Sequence, residues 1–489
     1  MPFPDRRRGL VPAFSTSYGF VMATAWKSDM AARDGHGTLL SPSAEPARDF
    51  IIGCCTHEEL YRLAGGICLL AGAAKAERPW LCLCTHDKAL IMAAIIASLA
   101  GGPRLILPYA FSRQALAEVC EALSPAFFLA DSFAGLDYPA GPQMIVPGMF
   151  PADIAVPHTV FDPDETFLIL FTGGSTGTPK VWAKTPRNMF AEARYQAAAL
   201  GISRDDVFLS TVPPNHIYGL LFSVLVPFVS SARILKGIYA FPREILKAAQ
   251  DYRATILVSV PVHYRVLNTD ALKRYELRMA LSSAGMLAQE DALSFRERTG
   301  LDVVEVYGST ETGGIATRRR FTDGESWHPM DPVAWKIREG KLCVSSIFLS
   351  PTLPRGDDGF FMTADCVDPD GDHRFILRGR ADDIVKIGGK RVDMSAVQAK
   401  LKQIPGVRDA VVVSIPVGRG RQNELAALVA TDLDAPQVKR HLAKVSEAYA
   451  VPRHVVVVND IPMTPAGKYE RAEIEGMLRT GKQQKARKA

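Results

Sequence analysis

Hydrophobic positions along the chain switch repeatedly between two periods. Short apolar runs of strand length, rich in β-branched and aromatic residues, alternate with longer stretches in which apolar residues recur every three to four positions. Before about residue 160 this pattern predicts a helix from Glu58 to Ala74, a strand at Trp80–Cys84, a helix from Lys88 to Leu99 and a strand at Arg104–Leu107. Such alternation implies a parallel sheet with helices packed on it. Thr166–Phe171 reads as another buried strand, a glycine-rich segment interrupts it, and Val181-Trp182-Ala183 returns as a second strand. Thr185 and Pro186 supply an N-cap and a first-turn proline for a helix to Leu200, which Gly201 closes. Strands at Val207–Val212, Thr255–Val260, Met279–Ser282 and Val303–Tyr307, again alternating with helices, predict a second αβ-layered sheet.

The pattern changes after Gly313-Gly314. Val333–Ile337 and Lys341–Ser345, joined by Glu339-Gly340, predict an antiparallel hairpin, with short strands following at Phe360–Thr363 and Arg374–Leu377. From Arg380 onward a compact module is expected, with strands at Ile384–Ile387, Ala410–Ile415, Leu425–Ala430 and His454–Val458 and helices between them. The expected fold class is therefore α/β. A large N-terminal domain over 1–379 combines two αβ-layered sheet subdomains with a small β-rich subdomain, and a small α/β domain over 380–489 follows.

A chain of 489 residues has room for more than one core, and 47% hydrophobic with 22% charged residues is ordinary for a globular protein. The formal net charge of +5 is small for this length, and no basic stripe interleaved with aromatics occurs, so no nucleic-acid partner is expected. The eight cysteines, Cys54, Cys55, Cys68, Cys82, Cys84, Cys120, Cys343 and Cys366, lack C-x-x-C spacing and have apolar neighbours, which predicts reduced buried thiols in a cytoplasmic protein. The longest apolar run, Ala89–Ala100, is too short to span a bilayer. Arg6-Arg7-Arg8 and Ala23-Thr24-Ala25 imitate an export signal, but Ser15, Thr16, Ser17 and Tyr18 dilute the apolar region between them, and an ordinary N-terminal segment is expected. The basic tail from Lys482 is read as a solvated end rather than a binding element.

The richest chemistry lies in Phe171-Thr172-Gly173-Gly174-Ser175-Thr176-Gly177-Thr178-Pro179-Lys180. Glycines let a backbone approach an anion closely, the hydroxyls of Ser175 and Thr176 donate, and Lys180 adds positive charge, so the natural guest is a polyphosphate. A Walker loop is excluded, because Thr178-Pro179 separates the last glycine from Lys180 and Val181 follows it. Gly173–Gly177 also fits G-x-S-x-G, the nucleophile elbow of a serine hydrolase using Ser175, which requires a helix where Pro179 and Val181-Trp182 stand. A merely flexible Gly/Ser loop is the third reading.

Four further stretches gain meaning if that loop holds ATP. Tyr307-Gly308-Ser309-Thr310-Glu311 follows a strand, Asp365 follows another, Gly379-Arg380-Ala381-Asp382-Asp383 opens the last module, and Thr464-Pro465-Ala466-Gly467-Lys468 forms a turn near the end. Taken singly, each has a plainer reading: a strand-ending turn, a turn-capping aspartate, a solvated acidic pair, a surface lysine.

Taken in order, Phe171–Lys180, Tyr307–Glu311, Phe361–Asp365, Gly379–Arg391 and Pro465–Lys468 resemble the adenylate-forming superfamily, which includes acyl- and aryl-CoA synthetases. The resemblance spans about residues 165 to 470. It implies a two-step reaction: a carboxylate attacks the α-phosphate of MgATP to form an acyl-adenylate and pyrophosphate, and a thiol then displaces AMP. By motif match, Thr172, Gly173, Gly174, Ser175, Thr176, Gly177 and Lys180 would hold the β- and γ-phosphates. Tyr307 would lie along the adenine, with Ala284, Gly285 and Gly308 also binding the nucleotide; Thr310 would hold a phosphate and Glu311 Mg²⁺, Asp365 and Arg380 would bind the ribose, and His216–Leu221, Val260–Tyr264 and Ser283–Met286 would line the acid pocket. Lys468 would neutralise charge during adenylation, and His216 would gate the acid pocket. The resemblance also makes the C-terminal domain a lid hinged near Asp382, whose other orientation brings Gly388, Gly389 and Arg391 to the thiol.

The chain departs from the family pattern at Gly173, Val181, Trp182, Ala364, Met286 and Met463. The expected activity is that of an AMP-forming acid–thiol ligase acting on a carboxylic acid, with CoA or a carrier protein's phosphopantetheine as acceptor, in a monomer or homodimer. A nucleotide-binding homologue without turnover, or one that only adenylates, is the alternative, with the serine hydrolase behind it.

Overall fold

The computed structural model describes residues 45–73, 78–133, 137–151, 154–157, 162–172, 180–267, 275–387, 390–417, 422–464, 469–470 and 473–478. Two large sheets dominate. The first has six strands in the order Gln143–Ile145, Phe127–Leu129, Trp80–Leu83, Arg104–Leu107, Leu168–Thr172 and Lys180–Lys184, all parallel except the last. The second contains the parallel run Arg233–Ile234, Val207–Ser210, Ile256–Ser259, Met279–Ser282 and Val303–Ser309. It then turns antiparallel through Gly313–Arg319, Ser326–Pro329, Arg374–Arg380, Phe361–Asp370, Lys341–Ser345 and Ala334–Arg338. The β-rich strands are thus a continuation of the second sheet, joined through Ser326↔Ile376.

The main core lies between the two sheets. Leu81, Leu105, Leu168 and Leu170 of the first sheet and Phe208, Val258, Leu281 and Val304 of the second belong to one buried cluster. The helix Lys88–Leu99 fills the middle, and every one of its residues is buried, because its sequence is apolar on all sides. Asp87 caps it, its Oδ1 accepting from the amides of Ala89 at 2.8 Å and Leu90 at 3.1 Å. The charge at its first position is satisfied internally: Lys88 Nζ donates to the carbonyls of Leu235 at 2.7 Å and Gly237 at 3.0 Å. Outer helices cover the far faces, Arg113–Leu123 on the first sheet and Pro242–Asp251 with Gln289–Thr299 on the second.

The helix Pro186–Ala199 starts as the sequence predicts. Thr185 Oγ1 accepts from the Asn188 amide at 3.3 Å, and Asn188 Oδ1 accepts from the Thr185 amide at 3.1 Å. Toward the C-terminus a three-stranded sheet, Val407–Val417, Gln422–Thr431 and His454–Val458, buries one face under the helices Met394–Lys402 and Ala435–Ala443 and the other under Ile461, Ile474 and Leu478. Ile384–Ile387 is not in that sheet. It pairs with Lys390–Asp393 as a separate two-stranded ribbon.

Among the described residues no helix is long and apolar enough to cross a membrane. All eight cysteines are free, and Cys82, on the strand Trp80–Leu83, and Cys84, just past its end, place their sulfurs 3.9 Å apart.

Candidate functional site

Parallel strands carry their ligands beyond their carboxyl ends, and both sheets bring the predicted residues to that edge. In the first sheet Thr172 ends Leu168–Thr172, and the chain returns antiparallel as Lys180–Lys184 in the register Thr172↔Lys180. Residues 173–179, which include Gly173, Gly174, Ser175, Thr176 and Gly177, lie outside the described residues, but their flanks are two paired strands. A nucleophile elbow requires a helix after the serine, so this hairpin removes the serine-hydrolase reading. Lys180 is exposed. Trp182, one of the departures, donates its indole N–H to Thr172 Oγ1 at 3.2 Å, which leaves the threonine proton available to a ligand.

In the second sheet the strand predicted to stop at Tyr307 continues to Ser309, because Gly313–Arg319 pairs with it antiparallel. Gly308 is required there for space: a Cβ would stand 2.2 Å from the Gly313 carbonyl oxygen. Asp365 likewise lies inside the strand Phe361–Asp370, opposite Arg380, rather than after a strand end. Arg380 is the last residue of Arg374–Arg380. Three predicted residues meet here. Tyr307 Oη donates to Asp365 Oδ2 at 2.6 Å, and Arg380 Nη1 donates to Asp365 Oδ1 at 3.3 Å. Burial, reinforced by the Asp365 charge, holds the Tyr307 hydroxyl well above its ordinary pKa, so it stays a donor.

Behind Tyr307 is a charged network that the sequence motifs do not mark. Glu305 receives Arg318 at 3.0 and 2.9 Å and Arg320 at 3.0 Å, all three being buried. Arg318 stacks on Trp327 at 4.0 Å, and the Trp327 and Tyr307 ring centroids are 5.5 Å apart. Arg320 Nη2 also donates to the Leu287 carbonyl at 2.9 Å, fixing the end of the Ala284–Met286 segment. The run Arg318-Arg319-Arg320 beside an apolar strand is its only trace in the sequence.

Ala284 takes φ +69, a left-handed conformation unfavourable for a residue with a Cβ. Ser283 Oγ anchors the segment on the Val306 carbonyl at 2.7 Å, and the nearest atom to a Cβ on Gly285 would be Pro261 Cγ at 3.7 Å. His216 precedes the short helix Ile217–Leu220, and Asn215 beside it donates to the Pro108 carbonyl at 3.2 Å, tying this loop to the first sheet. Tyr218 is buried, as is Ser282 one position before Ser283.

Thr310 is buried and Glu311 half-buried on the turn between the antiparallel strands. Ser350 links this turn to the strand Lys180–Lys184: its amide donates to the Glu311 carbonyl at 2.8 Å, and its Oγ donates to the Ala183 carbonyl at 2.7 Å. A half-buried carboxylate on a turn pinned in this way fits a hard divalent cation.

Lys468, Gly388 and Gly389 lie outside the described residues, as do the side chains of Asp382 and Arg391.

Two largely parallel sheets with Thr172, Lys180 and Tyr307 at their carboxyl ends have the architecture of a doubly layered α/β enzyme, and comparison with known families says which one. The model of the AMP-binding enzyme family matches residues 56–344 and that of the AMP-binding enzyme C-terminal domain matches residues 396–468; the chain belongs to this family. It is 28% identical over 373 residues to a 2-succinylbenzoate–CoA ligase of Staphylococcus aureus (strain Newman), covering 71% of this chain and 74% of that protein. ATP-bound MatB from Rhodopseudomonas palustris superposes with a TM-score of 0.77 at 20% identity, over 90% of this chain and 98% of that one. The O-succinylbenzoate coenzyme A synthetase of Bacillus subtilis in complex with AMP gives 0.76 at 18%, over 91% and 98%.

Proposed function

We infer that this protein is an ATP-dependent acid–thiol ligase that activates a carboxylic acid as its adenylate and passes the acyl group to the thiol of CoA or of a carrier protein's phosphopantetheine. The observation that supports it most is the meeting of Tyr307, Arg380 and Asp365 at one sheet edge. An aspartate held by a tyrosine and an arginine suits a ribose, whose two hydroxyls both need an acceptor.

Joining a carboxylate to a triphosphate brings two anions together, so alignment and charge neutralisation carry the chemistry. In this reading Thr172, Lys180 and the glycines between them bind the β- and γ-phosphates. Tyr307, Gly308, Ala284 and Gly285 line the base, Asp365 and Arg380 orient the ribose, and Thr310 meets a phosphate. Glu311 would hold magnesium, which when bound supplies positive charge against the phosphates. Lys468 would be delivered by the domain beginning at residue 380, pivoting near Asp382, and would stabilise the negative charge that builds as the acid attacks. Withdrawal of that domain would bring Gly388, Gly389 and Arg391 toward the thiol, with His216 between the acid and the nucleotide.

Among the acids named for relatives are 2-succinylbenzoate and benzoate. For this chain we propose an aryl or otherwise apolar acid, on the strength of buried Tyr218 beside His216, and CoA as the acceptor; Met286, which the sequence offered for the same pocket, is exposed. Pyrophosphate release with ATP and a panel of carboxylic acids, run with CoA and with a carrier protein in parallel, tests the reading. A ligase releases pyrophosphate only with its own acid, and a nucleotide binder without turnover releases none with any.

A further inference from the structure

Two buried charges beside the Glu311 turn take no part in the reading above. Lys184 ends the strand that leaves the phosphate hairpin, and Glu192 lies two turns into the helix Pro186–Ala199 that follows. Lys184 is wholly buried and Glu192 is 2% exposed. The Lys184 ammonium has no hydrogen-bond acceptor among the described residues, and the charges that act on it are those of Glu192 and Glu311. Glu192 reaches across to the second sheet, where its Oε1 accepts from the Gly314 amide at 2.7 Å.

The fit around Glu192 is close. A Cβ at Gly313 would stand 2.5 Å from its Oε2 and one at Gly314 3.0 Å from its Oε1, and Gly313 also takes φ +67, so bare backbone is what lets the carboxylate in. A carboxylate sealed this deeply needs a countercharge, and Lys184 is the cation at hand. The neighbouring residue supplies a second tie, since the Ala183 carbonyl accepts from Ser350, whose amide donates to Glu311. Residues 183 and 184 therefore reach the Glu311 turn by a neutral route and by a charged one.

We propose that Lys184 is a positioning residue for this turn: buried in the same core as Glu192, it balances the carboxylate that clamps the Gly314 amide, and Glu311 is thereby held in register with the strand Lys180–Lys184. The proposal rests on the assignment of Glu311 to magnesium. The nearest departures from a plain hydrophobic core, Lys184 and Glu192, are then part of the reaction's scaffold and not incidental.

The test uses nucleotide-free protein first. In Lys184→Met, hydrogen exchange of the segment containing Gly314 is expected to quicken at least about tenfold, and the magnesium concentration for half-maximal ATP binding, measured by calorimetry without acid, to rise by a similar factor. Lys184→Met combined with Glu192→Gln is electrically neutral, and its amide oxygen still accepts from Gly314, so it is expected to bring both readouts back toward wild type. Wild-type exchange and magnesium response in Lys184→Met overturn the proposal, and so does a lower Tm with neither readout moved. If Lys184→Met does not fold, Glu192→Gln alone, which leaves the ammonium without its partner, is compared with the double variant; equal behaviour of the two overturns the proposal. Glu311→Gln is the control. An unchanged magnesium response in that variant removes the metal assignment, and the exchange measurements alone then judge the clamp.

Discussion

The Tyr307 hydroxyl sits 2.6 Å from Asp365 Oδ2, joining two strands of the second sheet that are not neighbours in it. A hydrogen bond to a charged acceptor is worth about 1.5–3 kcal/mol. Tyr307→Phe should therefore raise KM for ATP by about tenfold or more while lowering kcat less, because it disturbs how Asp365 is presented and not the reacting atoms. Steady-state adenylation kinetics check this. Equal losses in kcat and kcat/KM would show that the tyrosine acts on the transition state instead.

Lys468→Ala should abolish adenylation while a supplied acyl-adenylate is still converted to thioester. The two half-reactions are assayed separately, by pyrophosphate release and by thioester formation. Equal loss of both would count against a lysine that serves only the first step.

Gly308 and Gly72 offer a contrast between glycines needed for space and glycines that are not. A Cβ on Gly308 meets the Gly313 carbonyl oxygen at 2.2 Å, whereas one on Gly72, in the helix His57–Ala73, meets nothing within 4 Å. Gly308→Ala should cost about 1–3 kcal/mol and part the strands that flank the Glu311 turn. Gly72→Ala should be neutral or stabilising by up to about 1 kcal/mol. Urea denaturation of the two variants makes the comparison.

Lys88 is wholly buried, and burial pulls its pKa from 10.5 down to about 7. Between those values the unfolded chain holds a proton that the folded chain lacks, so raising the pH through this window favours folding. The stability of wild type relative to Lys88→Met should accordingly increase from about pH 7 to about pH 10.5, by an amount on the order of a few kcal/mol. Denaturation of both proteins across that range measures it, and a flat difference would place the ammonium in a better-solvated setting than its two carbonyl partners provide.

Much of the fold was legible because the hydrophobic period is strong. The strands Arg104–Leu107, Met279–Ser282, Lys341–Ser345 and His454–Val458 and the helix Lys88–Leu99 fall where the pattern predicts them. Strand ends near the site were harder to read. Tyr307-Gly308-Ser309 looks like a turn because of its glycine, yet pairing with Gly313–Arg319 extends the strand, a long-range contact that no local pattern reports. Asp365 was read as following a strand for the same reason, a polar residue standing for an end when Arg380 lies opposite it. The Glu305, Arg318 and Arg320 network and the burial of Lys184 and Glu192 in one core were illegible, since buried charges depend on partners brought together only by folding. Motif order, by contrast, carried the family, because the five matching stretches fall in one order along the chain and the family match spans residues 56–344 and 396–468.

The pairing of Asp365 with Arg380 is the last rung before the chain departs from the second sheet toward the C-terminal domain. Everything on the near side of that rung belongs to one continuous plate that also carries Tyr307 and Glu311. Under the proposed function, a swing of the outer domain starting beyond Arg380 would leave Asp365 and Tyr307 standing still, like a jamb beside a turning door. One bound nucleotide would thus meet successive partners without being regripped between them.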